Sequence, residues 1–132
     1  MIFIDANVFL AYFNEDDVHH NKSVKLFEEI ESEVYGSSFT SDYVFNEVVG
    51  VSTRKFGKEK ALNLGNFIIK NITIVNISNA MLSDSWKKFS STNLTLNLVD
   101  CTNIISLKFV SSNLIATLDN EFKRVKELEV VN

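Results

Sequence analysis

Short apolar runs of strand length alternate with stretches of helical period along this chain of 132 residues, and that alternation restricts the fold more than any other feature. Met1 to Asp5 reads as a short buried strand, four apolar residues ending on a carboxylate, and Val8 to Phe13 is helix-compatible. A helix is predicted from about His19 to Ser32, with Val24, Phe27, Ile30 and Val34 on one face. Tyr35 to Thr40 is β-compatible, and Ser41 is placed to cap a helix over Asp42 to Lys55 that ends near Gly57. Lys58 to Lys70 repeats the helical spacing at Ala61, Leu64, Phe67 and Ile68 and leads into a strand-like run from Ile72 to Ile77.

Ser78 is a second candidate cap, for a helix through Trp86 and Phe89 that breaks at Ser90 to Thr92. Leu94, Leu96 and Leu98 alternate with polar residues and suit either strand or loop. From Leu98 to Phe109, positions 98, 101, 105 and 109 share a helix face, and Asn113 to Leu118 is a buried strand ending in Asp119. Glu127 to Val131 is a weak final strand. Strands separated by helices need crossover connections, so one α/β domain over residues 1–132 with a mainly parallel sheet is expected, its ligands collecting at the carboxyl ends of the strands.

Composition narrows the function. With 45% hydrophobic and 23% charged residues the chain suits a folded domain that buries roughly two thirds of its unfolded surface, not a disordered tail. No apolar run approaches the roughly 18 residues of a membrane span, and Asp5 and Asn7 interrupt the first segment, so neither secretion nor a membrane anchor is expected. Cys101 is the sole cysteine, which excludes an internal disulfide and a multi-thiolate zinc site and suits a reducing cytoplasm. The net charge of -4 is uneven: residues 1–50 hold 10 acids against 2 bases, residues 51–132 hold 7 against 11. A phosphate-binding surface would therefore have to be local.

Four acids stand out. Asp5 and Asp119 end strands and would face the carboxyl edge of the sheet; Glu47 and Asp100 lie at helical positions flanked by apolar residues. Two carboxylates ~5 Å apart repel by about 3 kcal/mol at an effective dielectric of ~20. Basic partners at matching positions are scarce, so a hard divalent cation, Mg²⁺ or Mn²⁺, is the economical way to hold such a group, and hydrolysis of a phosphodiester is the reaction it suggests.

The same residues carry a resemblance. Asp5-Ala6-Asn7 after an apolar strand, Glu47, Asp100 in Leu98-Val99-Asp100, and Thr117-Leu118-Asp119 before Phe122 resemble the PIN domain, especially the short VapC-type toxin ribonucleases of toxin–antitoxin pairs. The resemblance covers essentially the whole chain. It implies a three-layer α/β/α sandwich, Mg²⁺- or Mn²⁺-dependent cleavage of single-stranded RNA, a homodimer and an inhibiting antitoxin protein. Asp5, Glu47, Asp100 and Asp119 would then be the catalytic, metal-binding quartet, with Asn7 and Thr117 orienting the carboxylates. A catalytically silent PIN-like binding or RNA-processing module is the alternative. A phosphatase with Asp5 as nucleophile fits less well, because Asn7 stands where that chemistry needs a second aspartate.

Plainer readings exist for every residue singled out. Asp5 and Asp119 could simply cap helices or turns, and Glu47 and Asp100 could be surface residues. Arg54, Lys55, Lys58 and Lys60, and Lys123, Arg124 and Lys126, could grip RNA phosphates or merely complement helix dipoles. Adjacent His19 and His20 point about 100° apart on a helix and make a poor chelating pair. Cys101 reads as buried packing. Core is expected for Trp86 and for Phe39, Phe45, Phe56 and Phe67, with some aromatic surplus, including Phe13, Phe27 and Tyr43, for a dimer face.

Overall fold

Every strand of the computed structural model, which describes all 132 residues, pairs in parallel with its neighbours. In chain order the elements are β1 (Ile2–Ile4), α1 (Ala6–Phe13), α2 (His20–Glu31), β2 (Ser38–Ser41), α3 (Asp42–Phe56), α4 (Lys58–Asn71), β3 (Thr73–Val75), α5 (Asn79–Ser91), α6 (Leu98–Phe109), β4 (Leu114–Ala116), a 3-10 turn (Asn120–Arg124) and β5 (Glu129–Val131). The sheet order is β3-β2-β1-β4-β5, so the chain steps from β1 toward β2 and β3 and then crosses back beyond β1 to β4. Right-handed crossovers in the two directions put α1 to α4 on one face and α5 and α6 on the other. The reversal falls between β1 and β4, where an open α/β sheet leaves a crevice at its carboxyl edge.

The strands are shorter than the apolar runs suggest. Tyr35 to Ser37 belongs to a turn, and the Ile72 to Ile77 run contributes only three residues to the sheet. The helices follow their caps closely: Ser41 Oγ accepts from Val44 N at 3.1 Å and Ser78 Oγ from Met81 N at 3.2 Å. The Leu94–Leu98 alternation is a loop that enters α6, and Leu96 is buried.

Three burial expectations fail. Val34 lies beyond the end of α2 and is 63% exposed. The inner side of α6 carries Cys101, Ile104 and Leu107, while Phe109 is 68% exposed and Ile105 half-buried. Because Thr102, Asn103 and Ser106 are buried too, α6 is enclosed on most sides, and an apolar-only pattern misplaced its inner face. Trp86 is 58% exposed and stacks only on Phe89, with ring centroids 5.7 Å apart.

Most other aromatic side chains are spent inside the chain. Phe3 and Phe39 meet edge to face at 5.2 Å beneath the sheet's centre. Phe67 stacks against Tyr12, Phe13 and Phe27, joining α1, α2 and α4. No helix is long and apolar enough to cross a membrane. Phe39→Ala should lower stability by about 3–5 kcal/mol in urea unfolding, whereas Trp86→Ser should change it by no more than about 0.5 kcal/mol. Comparable losses in the two would mean that Trp86 is packed.

Candidate active site

Asp5 follows β1 at the crevice and is 5% exposed. A buried carboxylate needs partners, and this one has four. Its Oδ1 accepts from Ala6 N at 2.8 Å, which makes it the cap of α1, and from Asn103 Nδ2 of α6 at 3.2 Å. Its Oδ2 accepts from Thr117 Oγ1 at 2.7 Å and Asn7 Nδ2 at 2.9 Å. Asn7 Nδ2 also lies 3.1 Å from Thr117 Oγ1, and Asn7 Oδ1 accepts from Leu118 N at 3.0 Å. Asp119 N completes the lattice by donating to Thr117 Oγ1 at 3.1 Å. Asp5 thus binds the end of β1 to the start of α1, to α6 and to the segment after β4, through uncharged donors alone.

Asp100 is the third residue of α6 and half-buried. Its Oδ2 accepts from Asn97 N at 2.8 Å while Asn97 Oδ1 accepts from Asp100 N at 2.9 Å, a reciprocal cap. Asp119 is half-buried, and its Oδ1 accepts from Glu121 N at 2.8 Å at the head of the 3-10 turn. The plain cap reading of Asp5 and Asp119 is therefore correct as geometry, and Asp100 is a cap as well. Capping occupies one oxygen of Asp100 and one of Asp119 and leaves the other free of protein donors. Glu47, expected in an apolar setting, is exposed on α3, because the adjacent Val48 turns inward in its place.

The ion pairs of the chain are Lys87–Asp84, Lys88–Glu127, Lys108–Glu127 and Arg124–Glu121; none reaches the four acids. Desolvation, offset in part by the hydrogen bonds from Thr117 and Ala6, and then the charges of Asp100 and Glu47 push the Asp5 carboxyl up to about 6. Glu47 is raised by desolvation and then by Asp100. Asp100 is raised by desolvation and by Asp119, against the lowering effect of the Asn97 backbone donor. Asp100 thus interacts electrostatically with Asp5, Glu47 and Asp119. No three of the chain's His, Cys, Asp and Glu side chains close around a common point as a finished cage, so the set is open.

Asn103 went unread in the sequence. The available signal was an amide set between the buried Cys101, Ile104 and Leu107 on α6, where an unpaired polar group would be costly. The cleft of about 410 Å³ lined by Phe13, Asp16, Ser52 and Lys60 contains none of the four acids. Cys101 is fully buried, with its thiol pKa raised mainly by desolvation, and is not a nucleophile in waiting. His20 Nδ1 lies 2.9 Å from Ala11 O, a packing contact between α2 and α1.

The chain belongs to the PIN domain family, whose model matches residues 2–128. Among solved structures it is similar to Mycobacterium tuberculosis VapC20, a Sarcin-Ricin loop cleaving toxin, with a TM-score of 0.85, 16% identity and 95% of each chain covered. It is similar also to VapBC2 of Rickettsia felis, seen bound to a DNA fragment from its promoter, with a TM-score of 0.72, 15% identity and coverage of 100% of this chain and 98% of that one. A toxin–antitoxin complex from Klebsiella pneumoniae gives 0.72 at 14% identity, covering 100% and 97%. No curated protein matches by sequence. At such identities the likeness to these structures concerns the fold, and the three-layer parallel architecture is that of the PIN domain.

Asp5 holds its proton to higher pH in the folded protein than in the unfolded chain. Its contribution to stability is complete below about pH 3.8 and is lost as pH rises through about 6. Stability of the metal-free protein should accordingly rise by about 1 kcal/mol between pH 7 and pH 5 in urea titrations. The lowered carboxyls of Glu121 and Glu127 act below 4.5, outside that window. In Asp100→Asn the Asp5 carboxyl, followed by carbon NMR, should titrate at lower pH than in the wild type, and an unchanged midpoint would show that the two charges do not interact.

Proposed function

We propose that this PIN-domain chain is a metal-dependent endoribonuclease that hydrolyses RNA phosphodiester bonds as the toxin of a toxin–antitoxin pair. The observation that carries the proposal is the buried Asp5, held by four uncharged donors beside two further acids and beyond the reach of any lysine or arginine. Repulsion left standing in this way is what a cation relieves. The ligand chemistry fits Mg²⁺ or Mn²⁺, since Asp5, Glu47, Asp100 and Asp119 offer only oxygen and half of the Asp100 and Asp119 carboxylates is free of other donors. Such an ion, once bound, supplies Lewis acidity and a water of lowered pKa for hydrolysis.

The chain's own residues have separate tasks in this reading. Asn7 and Thr117 hold Asp5 in place and tie it to the segment leading to Asp119. Glu47, exposed on α3, is the carboxylate a substrate would meet from solution. Arg54 lies two turns further along α3, its Nη1 folded back to within 3.6 Å of where a side chain at Gly50 would begin, and it forms no ion pair. In this reading it is a cation free to take a substrate phosphate. Arg124, by contrast, is engaged with Glu121 at 2.8 Å. An open edge, outside the cleft of about 410 Å³, suits a polymer chain more than a small molecule.

The likeness to toxin–antitoxin assemblies supports an antitoxin partner, and the homodimer and the reducing cytoplasm belong to the same reading. The open spacing of the carboxylates is the feature that favours the alternative, a catalytically silent PIN module. Cleavage of a mixed RNA pool with Mn²⁺, Mg²⁺ or EDTA separates the two. The wild type should cut only with metal, and Asp100→Asn should fall to background while melting no lower than the wild type in EDTA, because asparagine can still accept from Asn97 N. Metal-independent cutting, or equal cutting by the variant, would contradict the proposal. Millimolar Mn²⁺ should raise the melting temperature of the wild type more than that of the variant.

A further inference from the structure

Only two buried side-chain atoms lack a hydrogen-bond partner, Ser23 Oγ and Asn103 Oδ1. Asn103 is fully buried on α6, one turn beyond Asp100, and its Nδ2 is 3.2 Å from Asp5 Oδ1 while its Oδ1 receives nothing. A buried amide with its acceptor unmet costs folding free energy, a cost that leucine, of the same branching though larger, would not carry. The neighbouring inner positions on α6, Cys101, Ile104 and Leu107, are apolar. What the amide supplies in exchange is an uncharged donor to the buried Asp5.

We propose that Asn103 is a positioning residue that clamps Asp5 from the α6 side, as Thr117 clamps it from the β4 side and Asn7 from α1. A lysine in this position would neutralise Asp5 and repel an incoming cation, whereas an amide donates without charge. Asn103 and Asp100 are three residues apart on one helix and so lie on neighbouring positions of its surface. Anchoring Asn103 to Asp5 thereby sets where α6 presents Asp100 relative to the end of β1. This role rests on Asp5 being a metal ligand, as proposed above.

Mn²⁺ binding, followed by the electron paramagnetic resonance of the free ion, and melting in EDTA test it on the wild type, Asn103→Leu and Asp5→Asn. Asn103→Leu, measured well below its melting temperature in EDTA, should remain folded yet bind Mn²⁺ about tenfold more weakly or worse, the scale of loss found when groups that orient metal ligands are removed. Wild-type affinity in Asn103→Leu overturns the proposal. If leucine does not fit, Asn103→Ala removes the same donor with less volume, and measured well below its melting temperature it should show the same loss; wild-type affinity there overturns the proposal equally. A wild type that binds no Mn²⁺, or an Asp5→Asn that binds it as well as the wild type, overturns the metal reading of the site and this role with it.

Discussion

The burial of one carboxylate organises the centre of this molecule. Ionised Asp5 could not sit 5% exposed at the end of β1 without several strong donors, and they come from the α1 backbone, Asn7, α6 and the residue after β4. Satisfying that group brings together elements separated by more than a hundred residues in sequence, since Thr117 and Asp5 are 112 positions apart. The parallel pairing of β1 with β4 supplies the register that makes this possible, Ile4 standing opposite Ala116. The sheet edge and the polar lattice above it are thus two aspects of one constraint.

The choice of uncharged donors has an electrostatic consequence. Elsewhere acids are neutralised in the ordinary way, Glu127 by Lys88 and Lys108, Glu121 by Arg124. At the carboxyl edge of β1 the negative charge is held but not cancelled, and Asp5, Glu47 and Asp100 have raised pKa values, first from desolvation and then from the neighbouring carboxylates. A site built only for stability would gain from a lysine in this position or from replacement of the charged group by packing. Uncancelled charge at a place where the fold is otherwise well packed is what the proposed metal site would draw on.

Much of this was legible in the sequence because local chemistry and tertiary structure agree. Ser41 and Ser78 mark helix starts to the residue, Gly57 follows the end of α3, and Asp5 sits where β1 runs out, whereas Asp119 lies three residues past the end of β4. Periodicity failed at α6, where the buried surface includes Thr102, Asn103 and Ser106 and apolar residues alone do not trace the inner face. It failed also at Trp86, whose helical spacing is that of a core residue although its side faces solvent. The four acids could be named from their positions, but the network that unites Asp5 with Asn103 could not, because a hydrogen bond spanning 98 positions leaves no mark in local pattern.

The most direct test of the account is to grow crystals with Mn²⁺ and locate the ion by its anomalous scattering. The account predicts a peak at the carboxyl edge of β1 and β4, within about 2.0–2.3 Å of oxygens of Asp5 and Asp100. A peak elsewhere, or an Asp5 still holding all four of its protein donors with no ion beside it, would contradict the claim that the uncancelled charge at this edge exists to hold a metal.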